Sequence, residues 1–384
     1  MKLKNIKLIF KKIIIWFDKG NTYKWWYGEI KMYYINENVK DLFRIFDQNS
    51  RDGYIRMDLN ENPVGLSQEF IDEVLSKVTP EFVAKYPEQL EFTTKLAKFI
   101  GVEVENICLV NGSAEGIRNI IQAYSRPGGK VLSVTPSYAM YDVYCEMYGR
   151  ESVHVHYDDK LNMHIDELID AITDDIDLVI VLNPNNPVGD VYSYEEMDQI
   201  VEACKKHECT LMIDEAYFYF YPNSFIKYAM ENDHVLLTRT FSKVFSLAGA
   251  RLGYVVGRAP EIALVQKLCT PHNVNAFGML FAEAIIEKEG MLDELVDKQL
   301  KGKQHLIDTL EDKGYIVNAK EGNFIFIKPK NRDASEIVDL MKKDKKILIK
   351  VYKDVPDLGD CLRVSIGESE VMDIFIEALE DLDK

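Results

Sequence analysis

The sequence predicts an α/β fold, with a large domain built on a mostly parallel sheet and a smaller α+β domain behind it. Three observations point there. From about Asn106, short apolar runs alternate with segments of helical period. Those runs are short and mostly continuous, as in strands buried on both faces. After Ala259 the pattern changes to long charged helical stretches followed by shorter strand-like pieces.

The strand candidates of the first part are 107–110, 130–134, 152–156, 178–182, 210–213, 235–238 and 253–256. Between them lie helix candidates at 114–124, 165–172 and 194–207. Strands and helices in alternation give a parallel sheet covered on both faces. The second part reads as helical through 261–313, with strands at 323–328, 347–351 and 362–366 and a closing helix at 371–382. There is no internal repeat and no low-complexity linker.

With 384 residues, 47% hydrophobic and 28% charged, the chain has enough apolar material for two domains and is not of disordered composition. A net charge of -17 argues against general nucleic-acid binding, which needs clustered cations. The charge is uneven: residues 1–50 carry +5 and the remainder -22. Met1 to Phe17 holds five lysines with no acid before Asp18 and ends in Ile13-Ile14-Ile15-Trp16-Phe17. One reading is an amphipathic helix lying on an anionic membrane. The favoured reading is a loosely held extension, or sequence upstream of a start at Met32. No stretch approaches the ~20 apolar residues that span a bilayer. Cys108, Cys145, Cys204, Cys209, Cys269 and Cys361 are scattered without a Cys-x-x-Cys pair, so no metal site is expected. Free thiols fit a reducing cytoplasm.

Four segments carry chemistry-bearing residues at strand ends. In Arg239-Thr240-Phe241-Ser242-Lys243, a lysine follows a strand beside two hydroxyls, with Arg251 eight residues on. Such a lysine can condense with an aldehyde if its ammonium is held partly deprotonated. Thr240, Ser242 and Arg251 can together grip a phosphate. In Ile213-Asp214-Glu215-Ala216-Tyr217, Asp214 stands at the carboxyl end of a strand, where α/β sheets place ligands. It suits a pyridinium nitrogen, and Tyr217 a phenolic oxygen; a helix cap would explain one acid equally. Asn183-Pro184-Asn185-Asn186-Pro187-Val188-Gly189 is a proline-stiffened loop that aims Asn186. Asn111-Gly112-Ser113-Ala114 turns a strand into a helix whose free N–H groups suit a phosphate, although a plain turn looks similar.

Two further residues stay open between readings. Tyr138, in Pro136-Ser137-Tyr138-Ala139-Met140-Tyr141, offers a ring for stacking or is simply core. Arg363, in Cys361-Leu362-Arg363-Val364-Ser365-Ile366-Gly367, lies within a strand. Its partner is a substrate carboxylate or a structural salt bridge.

Taken in order with Leu59-Asn60-Glu61-Asn62-Pro63 and Tyr86-Pro87, these motifs resemble the fold-type-I pyridoxal-phosphate (PLP) aminotransferases, and within them the histidinol-phosphate aminotransferase family. The resemblance runs from about Asp58 to the C-terminus. It implies a PLP-dependent homodimer. Lys243 would carry the cofactor and shuttle a proton. Asp214 would meet the ring nitrogen, Asn186 and Tyr217 the ring oxygen, and Tyr138 the ring face. Ser113, Ala114, Thr240, Ser242 and Arg251 would hold the phosphate, joined by Tyr86 from the neighbouring subunit. Arg363, Lys350 and Asn60 would serve the substrate.

The implied domain division is an extension at 1–50, an arm at 51–85 joining the small domain, a large PLP-binding domain at 86–288 and a small domain at 289–384. The implied reaction is ping-pong transfer between an amine and a 2-oxo acid. Where the family has an arginine for the substrate phosphate, this chain has Lys350, which supplies charge without a planar fork. That departure widens the expected substrates to small phosphorylated or acidic amines. Two alternatives stand beside the transaminase: a PLP decarboxylase of an amino-acid phosphate, and a non-catalytic PLP-binding regulator. Residues 1–50 show no helix-turn-helix for the latter.

Overall fold

The computed structural model describes residues 15–17, 23–25, 34–40, 42, 50–356 and 358–384. Seven strands form the large sheet: β1 (Ile107–Val110), β2 (Lys130–Thr135), β3 (Glu151–His156), β4 (Ile176–Leu182), β5 (Thr210–Asp214), β6 (Val235–Thr240) and β7 (Gly253–Val256). Their order is β1-β7-β6-β5-β4-β2-β3. Only β7 runs antiparallel, between β1 and β6. All seven fall within two residues of the sequence expectation. The continuous apolar runs explain why: β1, β6 and β7 are buried along their whole length, which a strand covered on both faces requires.

Helices Ser113–Tyr124 and Tyr194–Lys206 connect these strands. The second begins on a reciprocal cap, in which Ser193 Oγ accepts from Glu196 N and the Glu196 carboxylate accepts from Ser193 N. The helical stretch expected at 261–313 resolves into Ala259–Gln266, Ala276–Glu287 and Met291–Asp312.

A second, antiparallel sheet has the order β8-β9-β11-β10, from β8 (Ile316–Asn318), β9 (Phe324–Lys328), β10 (Lys350–Val355) and β11 (Gly359–Ser365). Helix Ser369–Leu382 packs with Met291–Asp312 beside it. The strand expected at 347–351 is two. Ile347–Leu348 pairs in parallel with Ile55–Arg56, whereas β10 starts at Lys350 and pairs with β11. One apolar run thus serves two sheets, a division that composition alone does not encode. Strand β8 was not expected because it is a short, partly exposed edge with no apolar run.

The segment after Ile55 is threaded into the small sheet. Met57 N donates to Leu348 O and Ser365 N to Met57 O. Near the N-terminus, Ile15–Phe17 pairs antiparallel with Tyr23–Trp25. The end of the proposed membrane helix is therefore extended, and its residues 1–14 lie outside the described residues. Among the described residues no helix is long and apolar enough to cross a membrane.

Candidate active site

Six parallel strands present their carboxyl ends at one edge of the large sheet, and the loops leaving that edge hold most of the expected site residues. Across it, the strand order sets their sequence in space: Gly112-Ser113 after β1, Arg251 before β7, Thr240 to Lys243 from the end of β6, Asp214 to Tyr217 after β5, Asn186 after β4 and Tyr138 after β2. An anion-binding cluster therefore lies toward one side and an acid toward the other.

Thr240 Oγ1 donates to Ser242 Oγ at 2.9 Å, and the Arg251 guanidinium reaches Ser242 Oγ at 3.4 Å. Arg251 has φ +52, a left-handed backbone. A Cβ on Gly112, at φ +73, would sit 2.3 Å from Arg251 Nη2, and one on Gly253 would sit 2.6 Å from Ser113 N. Both glycines keep the floor of this cluster open to backbone N–H groups. The first-turn N–H groups of Ser113 and Ala114 have no intrahelical acceptor and face it with the positive end of the helix dipole.

Asp214 is 2% exposed. Tyr141 donates to its Oδ2 at 2.9 Å and Ala216 N to its Oδ1 at 3.1 Å. Burial pushes its carboxyl up to about 6, against the opposing hydrogen bond from Tyr141. Among the described residues no Lys or Arg pairs with it. The adjacent Glu215 behaves differently: it pairs with buried Arg239 at 2.7 Å and accepts from Phe225 N. Of the two acids, Glu215 is structural and Asp214 is left for a cation. The capping alternative holds only for the turn bond to Ala216.

Lys243 Nζ donates to Leu59 O at 3.1 Å and lies 5.7 Å from the Tyr217 ring centre. Desolvation by the surrounding protein, then the positive charge of Arg363, pull its ammonium down to about 8. A lysine so placed holds a usable fraction of free amine near neutrality. Tyr138 meets Tyr141 edge-on, with ring centres 5.5 Å apart. Tyr217 is buried against Phe324 and accepts from Asn60 Nδ2 at 2.8 Å.

Arg363 is 3% exposed. It donates to Asn186 Oδ1 at 3.0 Å and to Asp58 O, its Nε has no partner, and no carboxylate pairs with it among the described residues. That geometry rules against the structural salt bridge. Lys350 sits opposite it in the β10–β11 register, and its side chain makes no hydrogen bond or ion pair among the described residues. Burial, then the charge of Arg363, lower its pKa. Asn60 does not stand free for substrate, because its amide is engaged by Tyr217 and Ser365. Tyr86 lies apart from this group, 77% exposed, with its ring stacked on His272 at 4.6 Å.

Sequence reasoning passed over Tyr141, although it lies in the stretch that supplied Tyr138. It also passed over Arg51, which pairs with Asp58 and with Glu61 at 3.1 Å close to Lys350. No cluster of metal-binding residues occurs among the described residues.

An amine held near neutrality, an uncompensated acid and an anion cradle on one sheet edge define an enzyme that works through a bound, phosphorylated carbonyl cofactor. The family described as aminotransferase class I and II matches residues 53–379. A histidinol-phosphate aminotransferase of Thermoanaerobacter pseudethanolicus is 31% identical over 352 residues, 91% of this chain and 98% of that protein. One from Citrifermentans bemidjiense is 30% identical over 346 residues, covering 86% and 92%. The structure of histidinol-phosphate aminotransferase from Sinorhizobium meliloti with pyridoxal-5'-phosphate shares the fold, at TM-score 0.77 and 24% identity over 86% of this chain and 90% of that one. The chain belongs to the class I and II aminotransferases and is a PLP-dependent transaminase of the fold-type-I architecture. These relatives favour transamination over the decarboxylase alternative, and an enzyme over the regulator.

Proposed function

We propose that the chain moves an amino group between a small amine bearing a second anionic group, carboxylate or phosphate, and a 2-oxo acid. One observation carries this reading: Arg363 and Lys350 face each other in register, and among the described residues neither is in an ion pair, the nearby Asp58 being held by Arg51. A desolvated, unpaired cation is costly, and a ligand anion offsets that cost. The name shared by the relatives, histidinol-phosphate aminotransferase, fits a phosphorylated amine.

The residues present fit pyridoxal phosphate. Ser113 and Ala114 N–H groups with Thr240, Ser242 and Arg251 would hold its phosphate, under the space that Gly112 and Gly253 keep free. Asp214 would meet the ring nitrogen, Asn186 and Tyr217 the ring oxygen, Tyr138 the ring face, and Lys243 the carbonyl end. Once bound, the cofactor supplies an electron sink for charge developing at the substrate carbon. Asp214, buried and with no Lys or Arg paired to it among the described residues, would hold the opposing positive charge in place. Lys243, with an ammonium near 8, can both take and return a proton at that carbon around neutral pH. Arg363 orients the substrate carboxylate, its guanidinium lying 5.8 Å from the Phe324 ring and 5.5 Å from the Tyr352 ring. Lys350 takes the second anion.

The same reading makes the enzyme a cytoplasmic homodimer in which Tyr86 reaches the neighbouring cofactor phosphate. Its exposure, and that of Val83 and Leu90 beside it, supports a covered face. All six cysteines are free, which suits a reducing compartment. The division into an arm at 51–85, a large domain at 86–288 and a small domain at 289–384 is kept, supported by the pairing of Ile55–Arg56 with Ile347–Leu348.

The test is a half-reaction screen of neutral, carboxylated and phosphorylated amines, read by loss of the cofactor's visible absorbance. Amines with a second anion should react at least ~10-fold faster than neutral isosteres, about the worth of one charge-assisted contact. Lys350→Ala should erase that preference. Neutral amines reacting as fast in the parent enzyme would overturn the proposal.

A further inference from the structure

Behind Tyr217 lies a short chain of hydrogen bonds that can run in only one direction. It begins at a backbone group that can only donate: Asn60 N gives its proton to Ser365 Oγ at 2.9 Å. Ser365 is fully buried, and among the described residues its hydroxyl has one acceptor, Asn60 Oδ1 at 3.2 Å. If the Asn60 amide were turned over, the Ser365 proton would be left buried and unsatisfied, which costs about 1–3 kcal/mol. The amide therefore keeps its Oδ1 on Ser365 and its Nδ2 on Tyr217, to which it donates at 2.8 Å. Tyr217 is buried too, and no acceptor for its own proton stands among the described residues.

Asn60 is held in this pose by its own backbone. Its φ is +57, a left-handed conformation that asparagine tolerates better than most residues, and its carbonyl is gripped by Asn323 Nδ2 at 3.0 Å. The charged and titratable groups facing the phenol are Arg363, Tyr138, Asp214 and Lys243, whose Nζ lies 5.7 Å from the ring centre. Among the described residues no hydrogen bond runs from the phenol to any of them.

We propose that Asn60 is a positioning residue: by donating to the Tyr217 oxygen, it obliges the phenol to give its one proton to the cofactor's ring oxygen and never to accept from it. The inference rests on the assignment of Tyr217 to that oxygen. It gives Asn60 a different task from substrate contact. It also makes the small domain, through Ser365, a party to the cofactor's protonation.

The experiment is a pH titration of the visible absorbance of the PLP-loaded enzyme, without substrate. Loss of a donor at the ring oxygen should raise the titration midpoint, and Tyr217→Phe sets the size of that effect at about one pH unit or more. Asn60→Asp keeps the side chain's shape but turns it into an acceptor for the phenol proton, and its midpoint should rise nearly as far. Ser365→Ala adds no charge and should raise it by a smaller amount, because the amide is then free to turn over. If Tyr217→Phe shifts the midpoint while Asn60→Asp and Ser365→Ala titrate like the parent, the positioning role is wrong and the Tyr217 assignment survives. Should Tyr217→Phe itself titrate like the parent, both fall.

Discussion

The two ends of this site are built on different plans. At the proposed cofactor end, Ser113, Arg251, Thr240, Ser242, Lys243 and Asp214 all leave one edge of one sheet, from neighbouring strands. At the proposed substrate end, Arg363 and Lys350 come from the small sheet and lie against the arm, and bonds such as Arg363 to Asn186 bridge 177 positions. The first end is a property of sheet topology, fixed once β1, β7, β6 and β5 are in order. The second exists only when three distant pieces of chain meet. The lesson is that a constant chemistry and a variable specificity can be carried by separately assembled parts.

That division can be broken from either side. Lys243→Ala should give the largest effect, a loss of about 10⁴-fold or more in single-turnover rate together with the parent enzyme's visible cofactor band. Retention of parental turnover would remove Lys243 from the chemistry. Arg363→Ala should act on the other end, reaching the first only through the charge it places near Lys243. Loss of a charge-assisted carboxylate contact of about 2–3 kcal/mol predicts KM for the oxo acid to rise roughly 30- to 150-fold. The cofactor band should persist, and its disappearance would show that the two ends are not separable.

The smallest effect is one of pH. The Lys243 amine must be neutral to capture PLP, and its ammonium is held down near 8 by desolvation and by Arg363. The rate at which stripped enzyme takes up the cofactor should therefore climb about tenfold per unit below pH 8 and level off above it. A climb continuing toward pH 10 would mean an ordinary lysine. Arg363→Ala, by removing a neighbouring positive charge, should move that bend upward.

The same contrast explains what could be read from the residues. Continuous apolar runs place strands such as β1, β6 and β7, because strands buried on both faces have no freedom to alternate, while the edge strand β3 is read from its alternating valines. With those strands fixed, Lys243, Asp214 and Asn186 follow from being next after a strand end. Tyr141 escaped because two tyrosines three apart in one turn are chemically alike, and only packing tells which one reaches Asp214. Asn60 was read as a substrate contact, whereas its amide is bonded to Tyr217 and Ser365. Its partners lie 157 and 305 positions away, so no local pattern reports them. The run at 347–351 reads as one strand because apolarity marks burial and not the identity of the partner sheet.

The threading of Met57 to Asn60 into the small sheet also bears on how the enzyme is made. Chains emerge from the ribosome N-terminus first, and domains fold as units while they do. The arm comes out early, yet its anchors Leu348 and Ser365 are among the last residues to follow it. A nascent chain can hold a finished sheet edge long before it owns a latch. The bonds that anchor the arm therefore cannot form before β11 has been made.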